Sequence, residues 1–126
     1  MIVTLGSIAG LCRETADKLR EQGIKAGVVR IRYMRPFPND EIADVLRNVK
    51  AYAVLEKDIS FGHEGTVFTN VNSALKKSGV NANGYNFIGG LGGRNISASD
   101  IEQIYSDIAN GTEIVNFIGI GGGNNG

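Results

Sequence analysis

Short apolar runs alternate along the chain with longer segments in which apolar residues recur every three or four positions. The runs predict β-strands at 2–5, at 26–32, from Ala51 onward and at 85–89, each bounded by glycine, proline or polar residues. The run that begins at Ala51 is apolar at consecutive positions, which is typical of a strand covered on both faces of a parallel sheet. We therefore expect a three-layer α/β/α domain with a mainly parallel sheet of four to five strands and right-handed crossovers.

Four segments with helical spacing follow these strands. The first begins at Ile8 and is expected to end at Gly23 in a left-handed cap. Asn39 is the expected N-cap of the second helix, and Ser99 with Glu102 forms the expected capping box of the fourth. The positions expected to face the core are Ile8, Leu11, Cys12, Thr15, Ala16 and Leu19 in the first helix, Ile42, Val45, Leu46 and Val49 in the second, Val67, Phe68, Val71, Ala74 and Leu75 in the third, and Ile101, Ile104, Tyr105 and Ile108 in the fourth.

Three segments carry less regular patterns. Arginines alternate with apolar residues in 26–32, which favours an edge strand or one with a partly covered face. Residues 80–84 are rich in turn formers and are predicted to be a linker. Residues 114–120 either add an edge strand or trail into solvent. We assign residues 1–110 to the α/β domain and 111–126 to a Gly/Asn-rich C-terminal extension that is flexible at its end.

Composition and charge exclude several classes of protein. The 126 residues suffice for one core but not two. Thirteen basic and thirteen acidic residues leave no net charge and no dense basic block, which argues against nucleic acid as a partner. Because no apolar run approaches the roughly 20 residues that span a bilayer, and the chain does not open on a signal-peptide pattern, we expect no membrane association and a cytoplasmic location. The single cysteine, Cys12, lies on a helical stripe and is expected to be a buried apolar residue, since one cysteine cannot form an internal disulfide or a multi-cysteine cluster site.

Candidate chemistry is expected beyond the carboxyl ends of the strands, where parallel sheets place their functional loops. The loop after the third strand contains His63, the only histidine. A catalytic base would also need a substrate pocket and an orienting partner, so a surface or interface role is favoured for it. Asp58 and Ser60 could form a carboxylate and hydroxyl pair, but no nucleophile elbow surrounds Ser60, and acyl transfer therefore has little support.

The glycine run at 90–94 matches neither the dinucleotide fingerprint nor the phosphate-loop pattern. The string Gly121-x-Gly123-x-x-Gly126 does match the fingerprint, but no helix can follow it in this sequence. Two interpretations of the 90–94 run stay open. Its backbone N–H groups, with Arg94 beside them, could hold an anion, or its glycines could let another polypeptide approach closely, and the second interpretation is favoured.

Four motifs in this order resemble the alpha chain of pyruvate:ferredoxin oxidoreductase (pyruvate synthase), and specifically its second domain, which is related to the C-terminal domain of transketolase. The resemblance covers residues 2 to about 108. The motifs that carry it are Val3-Thr4-Leu5-Gly6-Ser7-Ile8-Ala9-Gly10, Arg30-Ile31-Arg32 running into Arg35-Pro36-Phe37-Pro38, Val54-Leu55-Glu56-Lys57-Asp58-Ile59-Ser60-Phe61-Gly62, and Gly90-Leu91-Gly92-Gly93-Arg94.

The resemblance implies an enzyme that converts pyruvate, coenzyme A and oxidised ferredoxin into acetyl-CoA, carbon dioxide and reduced ferredoxin, in anaerobic metabolism. That family uses thiamine diphosphate with Mg²⁺ and iron–sulfur clusters. This sequence has no thiamine-diphosphate motif of the Gly-Asp-Gly to Asn-Asn type and no cluster cysteines, so no residue is assigned a catalytic, cofactor-binding or metal-binding role. The resemblance implies instead a structural and assembly domain, inactive alone, that contacts other domains and subunits of the oxidoreductase. The candidate interface or anion-contact residues are Arg35, Phe37, Asp58, Ser60, Phe61, Gly62, His63, Gly92, Gly93 and Arg94.

Two further expectations accompany the resemblance. The related fold has a mixed sheet whose first, antiparallel strand lies at an edge, and this strand would precede Ile2, so the chain is expected to be an excised domain or a natural short chain. The alternative function is a stand-alone flavodoxin-like module that binds a small anionic ligand at Gly92, Gly93 and Arg94.

Overall fold

Five parallel strands and four helices alternate in the part of the chain that the computed structural model describes, residues 1–5, 8–31, 37–56, 66–89 and 96–118. The elements are β1 (Ile2–Leu5), α1 (Ile8–Glu21), β2 (Val28–Ile31), α2 (Asn39–Leu46), β3 (Ala51–Glu56), α3 (Thr66–Ser78), β4 (Asn83–Ile88), α4 (Ala98–Asn110) and β5 (Val115–Phe117). The strand order is β2-β1-β3-β4-β5, and every adjacent pair is parallel. The expected α/β class and strand number are confirmed.

The strand order reverses between β1 and β3. From β1 the chain moves outward to β2, then returns to the other side of β1 and continues through β3 and β4 to β5. This order is one of the doubly wound arrangements, in which the crevice beyond the carboxyl ends of the two strands at the reversal is the usual functional position. Because all pairs are parallel, the carboxyl ends of all five described strands lie along one edge, which we call the carboxyl edge.

Each face of the sheet packs against its own pair of helices. Tyr52 and Val54 of β3 belong to the core beneath α2 and α3, whereas Ala53 and Leu55 belong to the core beneath α1 and α4. Consecutive side chains of a strand point to opposite faces, so a strand covered on both sides must be apolar at every position. The prediction of a doubly covered third strand is thereby confirmed.

The helix ends in the structure agree only in part with those predicted from the sequence. Gly23 has a φ of +84°, as expected of a left-handed cap. The α4 capping box, however, is formed by Ser97 and Asp100, so the Ser99–Glu102 prediction was wrong. Two overlapping patterns of the form Ser-x-x-Asp/Glu occur here, and the extended backbone of Ser97 makes it the residue that precedes the first helical turn.

The second helix departs from its prediction at two positions. Pro38 is the N-cap without a side-chain hydrogen bond, and Asn39 is the first helical residue rather than the cap. Val45 is 46% exposed, whereas Ala43 is buried. The buried stripe of this short helix is therefore rotated toward Ala43, because Ile42, Ala43 and Leu46 are the side chains that pack beneath it.

Strand ends also differ from those predicted. β2 is an edge strand, as its arginines indicated, but spans only Val28–Ile31. β4 begins at Asn83, inside the segment predicted to be a linker. Residues 115–117 join the sheet as its other edge, which resolves the alternatives left open for 114–120. The antiparallel strand expected before Ile2 and the boundary at residue 110 stay predictions.

Gly84, the second residue of β4, is a glycine because of its packing against β3. A Cβ at this position would overlap the hydroxyl group of Tyr52. This side chain is fully buried and its hydroxyl donates a 2.6 Å hydrogen bond to Oδ1 of Asn72. Gly84 pairs with Tyr52 in the β3–β4 register. The glycine therefore serves close packing within a strand rather than a turn.

Cys12 and Tyr105 are buried together between α1 and α4. Burial raises the pKa of the Cys12 thiol to about 11. Burial, and to a smaller extent the charge that Cys12 would carry, raises the pKa of the Tyr105 phenol, whose hydroxyl donates a 2.7 Å hydrogen bond to the Gly27 carbonyl. Both groups are held in their neutral forms, as expected of core residues. In the described part of the chain, no helix has the length and apolarity that a bilayer-spanning segment requires.

Gly84→Ala is expected to destabilise the fold by about 1–3 kcal/mol, because the added methyl group displaces the Tyr52 ring from a filled core. The matched control is Gly10→Ala in α1, where a Cβ meets nothing within 4 Å. That change should stabilise the chain by about 0.5–1 kcal/mol through helix propensity. Urea unfolding of both variants measures the difference. Equal stability of Gly84→Ala and the unsubstituted chain would contradict the Tyr52 packing.

The Cys12 thiol is expected to be inert in the folded chain, because at pH 8 only about a thousandth of a thiol with a pKa of about 11 is ionised and the sulfur is fully buried. A chromogenic disulfide reagent should label less than a tenth of the chains in an hour at pH 8. The same reagent in guanidinium chloride should label one thiol per chain. Rapid stoichiometric labelling of the folded chain would contradict the burial.

Stability is expected to fall as the pH rises above the ordinary thiol pKa, since the unfolded thiol then ionises while the buried one stays neutral up to about pH 11. The contribution of the neutral Cys12 thiol to the free energy of unfolding is constant below the ordinary thiol pKa. Between that pKa and the folded-state pKa of about 11, it declines by about 1.4 kcal/mol per pH unit. Urea unfolding of the native chain and of Cys12→Ala between pH 7 and 10.5 isolates the effect. The variant should show a shallower decline, and parallel curves would contradict it.

Candidate functional site

The carboxyl edge is where the sequence placed its candidate residues, and the structure describes one of them. Phe37 is half-buried and packs against the core beneath α2 and α3. The other candidates, Arg35, Asp58, Ser60, Phe61, Gly62, His63, Gly92, Gly93 and Arg94, lie outside the described residues. Their roles stay predictions.

The strands nevertheless fix where the segments that carry these candidates begin. Ile31, Glu56 and Ile88 end β2, β3 and β4 at the carboxyl edge. In the strand order β2-β1-β3-β4, the end of β3, where the 57–65 segment begins, is one strand spacing from the end of β4, which precedes the 90–95 segment. It is two strand spacings from the end of β2, where the 32–36 segment begins. At about 4.8 Å per spacing, the three starting points fall within about 15 Å.

A polar network lies at the carboxyl ends of the central strands. Glu56, the last residue of β3, accepts hydrogen bonds from the backbone N–H groups of Val67 (Oε1, 3.1 Å) and Phe68 (Oε2, 3.2 Å). Both N–H groups belong to the first turn of α3, where backbone donors have no partner within the helix. The Glu56 carboxylate therefore caps α3 from the neighbouring strand and places negative charge at its positive end.

Asn86 of β4 orients this carboxylate. Its side chain is fully buried, and its Nδ2 donates to Oε2 of Glu56 at 2.9 Å and to the carbonyl of Val54 at 3.2 Å. On the other side of β3, the Thr4 hydroxyl donates to the Leu55 carbonyl at 2.9 Å. Buried polar groups of this kind are retained only with partners, and here the partners tie β1, β3 and β4 together.

Glu56 lies within one of the motifs that carry the family resemblance, but the sequence predicted no role for it. The role of Asn86 was not predicted either. The available signal was Asn86 itself, a polar residue between the apolar Tyr85 and Phe87 in the predicted strand 85–89. A side chain with amide donors in a covered strand must find acceptors nearby. The acidic residue at the end of the adjacent strand was the available acceptor.

The N-terminus of α4 also carries a carboxylate of the chain itself. Oδ2 of Asp100 accepts from the Ser97 backbone N–H at 2.8 Å, and the Asp100 N–H donates to the Ser97 hydroxyl oxygen at 3.2 Å. Two acidic residues, Asp40 and Glu41, occupy the first turn of α2. An anion at the start of α2, α3 or α4 would meet like charge, which weakens the anion interpretation of the neighbouring glycine run.

Gly89 shows a close approach within the chain at the base of that run. A Cβ at Gly89 would lie 2.6 Å from Cδ1 of Ile96, so the residues on either side of the 90–95 segment are in contact. The Gly89 N–H donates to the Glu56 carbonyl at 2.8 Å. A larger residue at this position would displace the Ile96 side chain, so the glycine permits close packing of the chain against itself.

The described residues do not offer the donor set of a metal or cluster site. Within them, no group of three or more His, Cys, Asp or Glu side chains could hold a metal ion. The single cysteine of the sequence is buried between α1 and α4. An iron–sulfur cluster needs several thiolates, and Cys12 cannot supply them.

A cleft of about 360 Å³ lies at the opposite edge of the sheet, at the amino ends of β3 and β4. It is lined by Lys50, Asn72, Leu75, Lys76, Val80, Asn81, Ala82 and Asn83. The cleft adjoins the last turn of α3, where the helix dipole disfavours anions and where Lys76 already provides compensating charge. None of the predicted site residues lines it.

Comparison with known proteins agrees with this architecture. Residues 1–101 match the family model described as pyruvate:ferredoxin oxidoreductase core domain II. The ketoisovalerate oxidoreductase subunit VorA of Pyrococcus abyssi is 40% identical over 104 residues, which are 82% of this chain and 26% of the relative. The pyruvate synthase subunit PorA of Methanothermobacter thermautotrophicus is 38% identical over 120 residues, which are 95% of this chain and 30% of the relative. The chain thus spans about a quarter to a third of the length of these curated relatives.

Among solved structures, the chain is similar to a split-gene transketolase, described as an inactive beta4 tetramer. The TM-score is 0.65 at 19% sequence identity, over 86% of this chain and 37% of the other. At this identity the likeness shows the fold alone, and that fold is the transketolase-like one that the four motifs implied. The family match, the relatives and the parallel sheet agree, and the chain belongs to the pyruvate:ferredoxin oxidoreductase core domain II family.

Proposed function

We propose that this chain is a structural and assembly domain of the alpha subunit of a 2-oxoacid:ferredoxin oxidoreductase, with pyruvate as the 2-oxoacid. Relatives named as pyruvate synthase and as ketoisovalerate oxidoreductase subunits support the enzyme class. Pyruvate is proposed because the pyruvate synthase relative from Methanothermobacter thermautotrophicus matches over 95% of this chain. The whole enzyme would convert pyruvate and coenzyme A into acetyl-CoA and carbon dioxide and pass electrons to ferredoxin, in the cytoplasm of an anaerobe.

The observation that carries the assembly role is that the chain's own carboxylates occupy the N-terminal turns of α3 and α4. Helix N-termini at the carboxyl edge of a doubly wound sheet are the usual binding sites for phosphate groups of ligands. Here Glu56 and Asp100 take the backbone donors that such a ligand would need. The parts of the edge formed by the starts of α3 and α4 are therefore better suited to contact with polypeptide than to an anionic cofactor or metabolite.

The cofactors of the whole enzyme are proposed to lie on other parts of it. Thiamine diphosphate with Mg²⁺ would supply the carbanion chemistry, and iron–sulfur clusters the path for electrons. Within the described residues, no group of three or more His, Cys, Asp or Glu side chains could hold a metal ion or a cluster, which supports this division. The role of this chain would be to hold its neighbours in place through the candidate contact residues Arg35, Phe37, Asp58, Ser60, Phe61, Gly62, His63, Gly92, Gly93 and Arg94.

The chain is expected to bind the remaining subunits of the oxidoreductase from the same organism and to show no CoA-dependent oxidation of pyruvate alone. Replacing both Arg35 and Arg94 with alanine should weaken binding by about tenfold or more, since two charged contacts are truncated at the proposed interface. Calorimetric titration of the chain with the purified subunit complex measures the affinity.

The matched control is Lys50→Ala, because Lys50 is an exposed cation at the amino edge, opposite the proposed interface. Its affinity should stay within about twofold of the unsubstituted chain. Titrations with phosphate and with coenzyme A should be flat. Saturable binding of either anion that is lost in Arg94→Ala would favour the stand-alone anion-binding module, and absence of subunit binding would reject the assembly role.

A further inference from the structure

One carboxylate joins the two ends of the 57–65 segment. Glu56 is the residue immediately before the segment, and Val67 and Phe68 follow its end after a single intervening residue. The hydrogen bonds of 3.1 and 3.2 Å from these two N–H groups to Glu56 therefore close a ring that contains the whole segment. This side chain therefore links the two ends of the segment directly, in addition to the packing of α3 on the sheet.

The carboxylate cannot rotate freely to other partners. Asn86 donates to its Oε2 at 2.9 Å from a position in β4 that is fully buried. The backbone of Glu56 is held as well, since its carbonyl accepts the Gly89 N–H at 2.8 Å. Glu56 is thus fixed from β4 through both side chain and main chain, and it transmits that fixed position to the start of α3.

We propose that Glu56 is a positioning residue for the 57–65 segment, held in place by Asn86, and that its carboxylate sets the geometry with which this segment meets a neighbouring subunit. This inference rests on the proposed assembly function. Holding both ends of a contact segment before binding reduces the conformational entropy that association must remove, and so raises affinity. Glu56 itself contributes through Val67 and Phe68 and needs no contact with the partner.

The test is Glu56→Gln, which is nearly isosteric but has one acceptor oxygen where the carboxylate has two. At least one of the three donors at Glu56 then faces an amide NH₂ group, and the negative charge at the start of α3 is lost. We expect Tm to fall by about 3–6 °C and affinity for the remaining subunits to fall by about tenfold or more. The amide resonances of Val67 and Phe68 should shift in a ¹H–¹⁵N spectrum.

The matched control is Gly84→Ala, which destabilises the chain at the amino edge without touching Glu56. Affinities are compared at a temperature at least 15 °C below the lower Tm, where both variants are folded. The proposal requires Glu56→Gln to lose affinity and Gly84→Ala to keep it within about twofold. Equal losses in the two variants would mean that stability alone is measured, and would overturn the positioning role.

The outcomes also separate this inference from the function on which it rests. If the unsubstituted chain binds the subunits and Glu56→Gln binds equally well, the positioning role is overturned and the assembly function stands. If the unsubstituted chain does not bind, both are overturned. Should Glu56→Gln fail to fold, Asn86→Ser is measured in its place. This change removes the bond from Asn86 to Oε2 but leaves both α3 bonds, and it must weaken binding by at least about threefold.

Discussion

Parallel pairing of the central strands is the constraint on which the rest of this structure depends. A parallel connection must return the chain to the other end of the sheet, and the helices that do so cover both faces. Two separate cores result, one beneath α1 and α4 and one beneath α2 and α3. The same constraint directs every described strand to the carboxyl edge, so the connections after β2, β3 and β4 leave from neighbouring positions.

A fully covered sheet leaves little room for polar groups, and the exceptions here have defined tasks. Thr4 and Asn86 are buried at the carboxyl end of the sheet, and both donate to carbonyl groups of β3. Asn86 has a further donor, which it directs to Glu56. The cost of burying these groups is offset because each finds an acceptor, and the result is that the central strand is locked to both neighbours at the edge where α3 begins.

The sequence predicted what depends on periodicity and missed what depends on contacts between distant residues. The doubly covered β3 and the buried stripe of α4 followed from spacing alone. Gly84 was assigned to a turn from its local sequence. Its actual role is to pack against Tyr52, more than thirty positions away, and no local pattern reveals that contact. The role of Glu56 was likewise not predicted, because a helix cap supplied by a preceding strand has no fixed sequence spacing to the helix that it caps.

The choice between binding a ligand and binding a partner depends in this fold on what neutralises the helix N-termini. A β2-β1-β3-β4-β5 sheet brings several positive helix N-termini to one edge, where proteins commonly bind the phosphate group of a ligand. In this chain Glu56 reaches α3 from β3 and Asp100 reaches back from within α4, so two of those ends are satisfied internally. The helix ends that elsewhere favour an anionic ligand are thus occupied by the chain's own carboxylates at α3 and α4, which supports the proposed assembly role over ligand binding there.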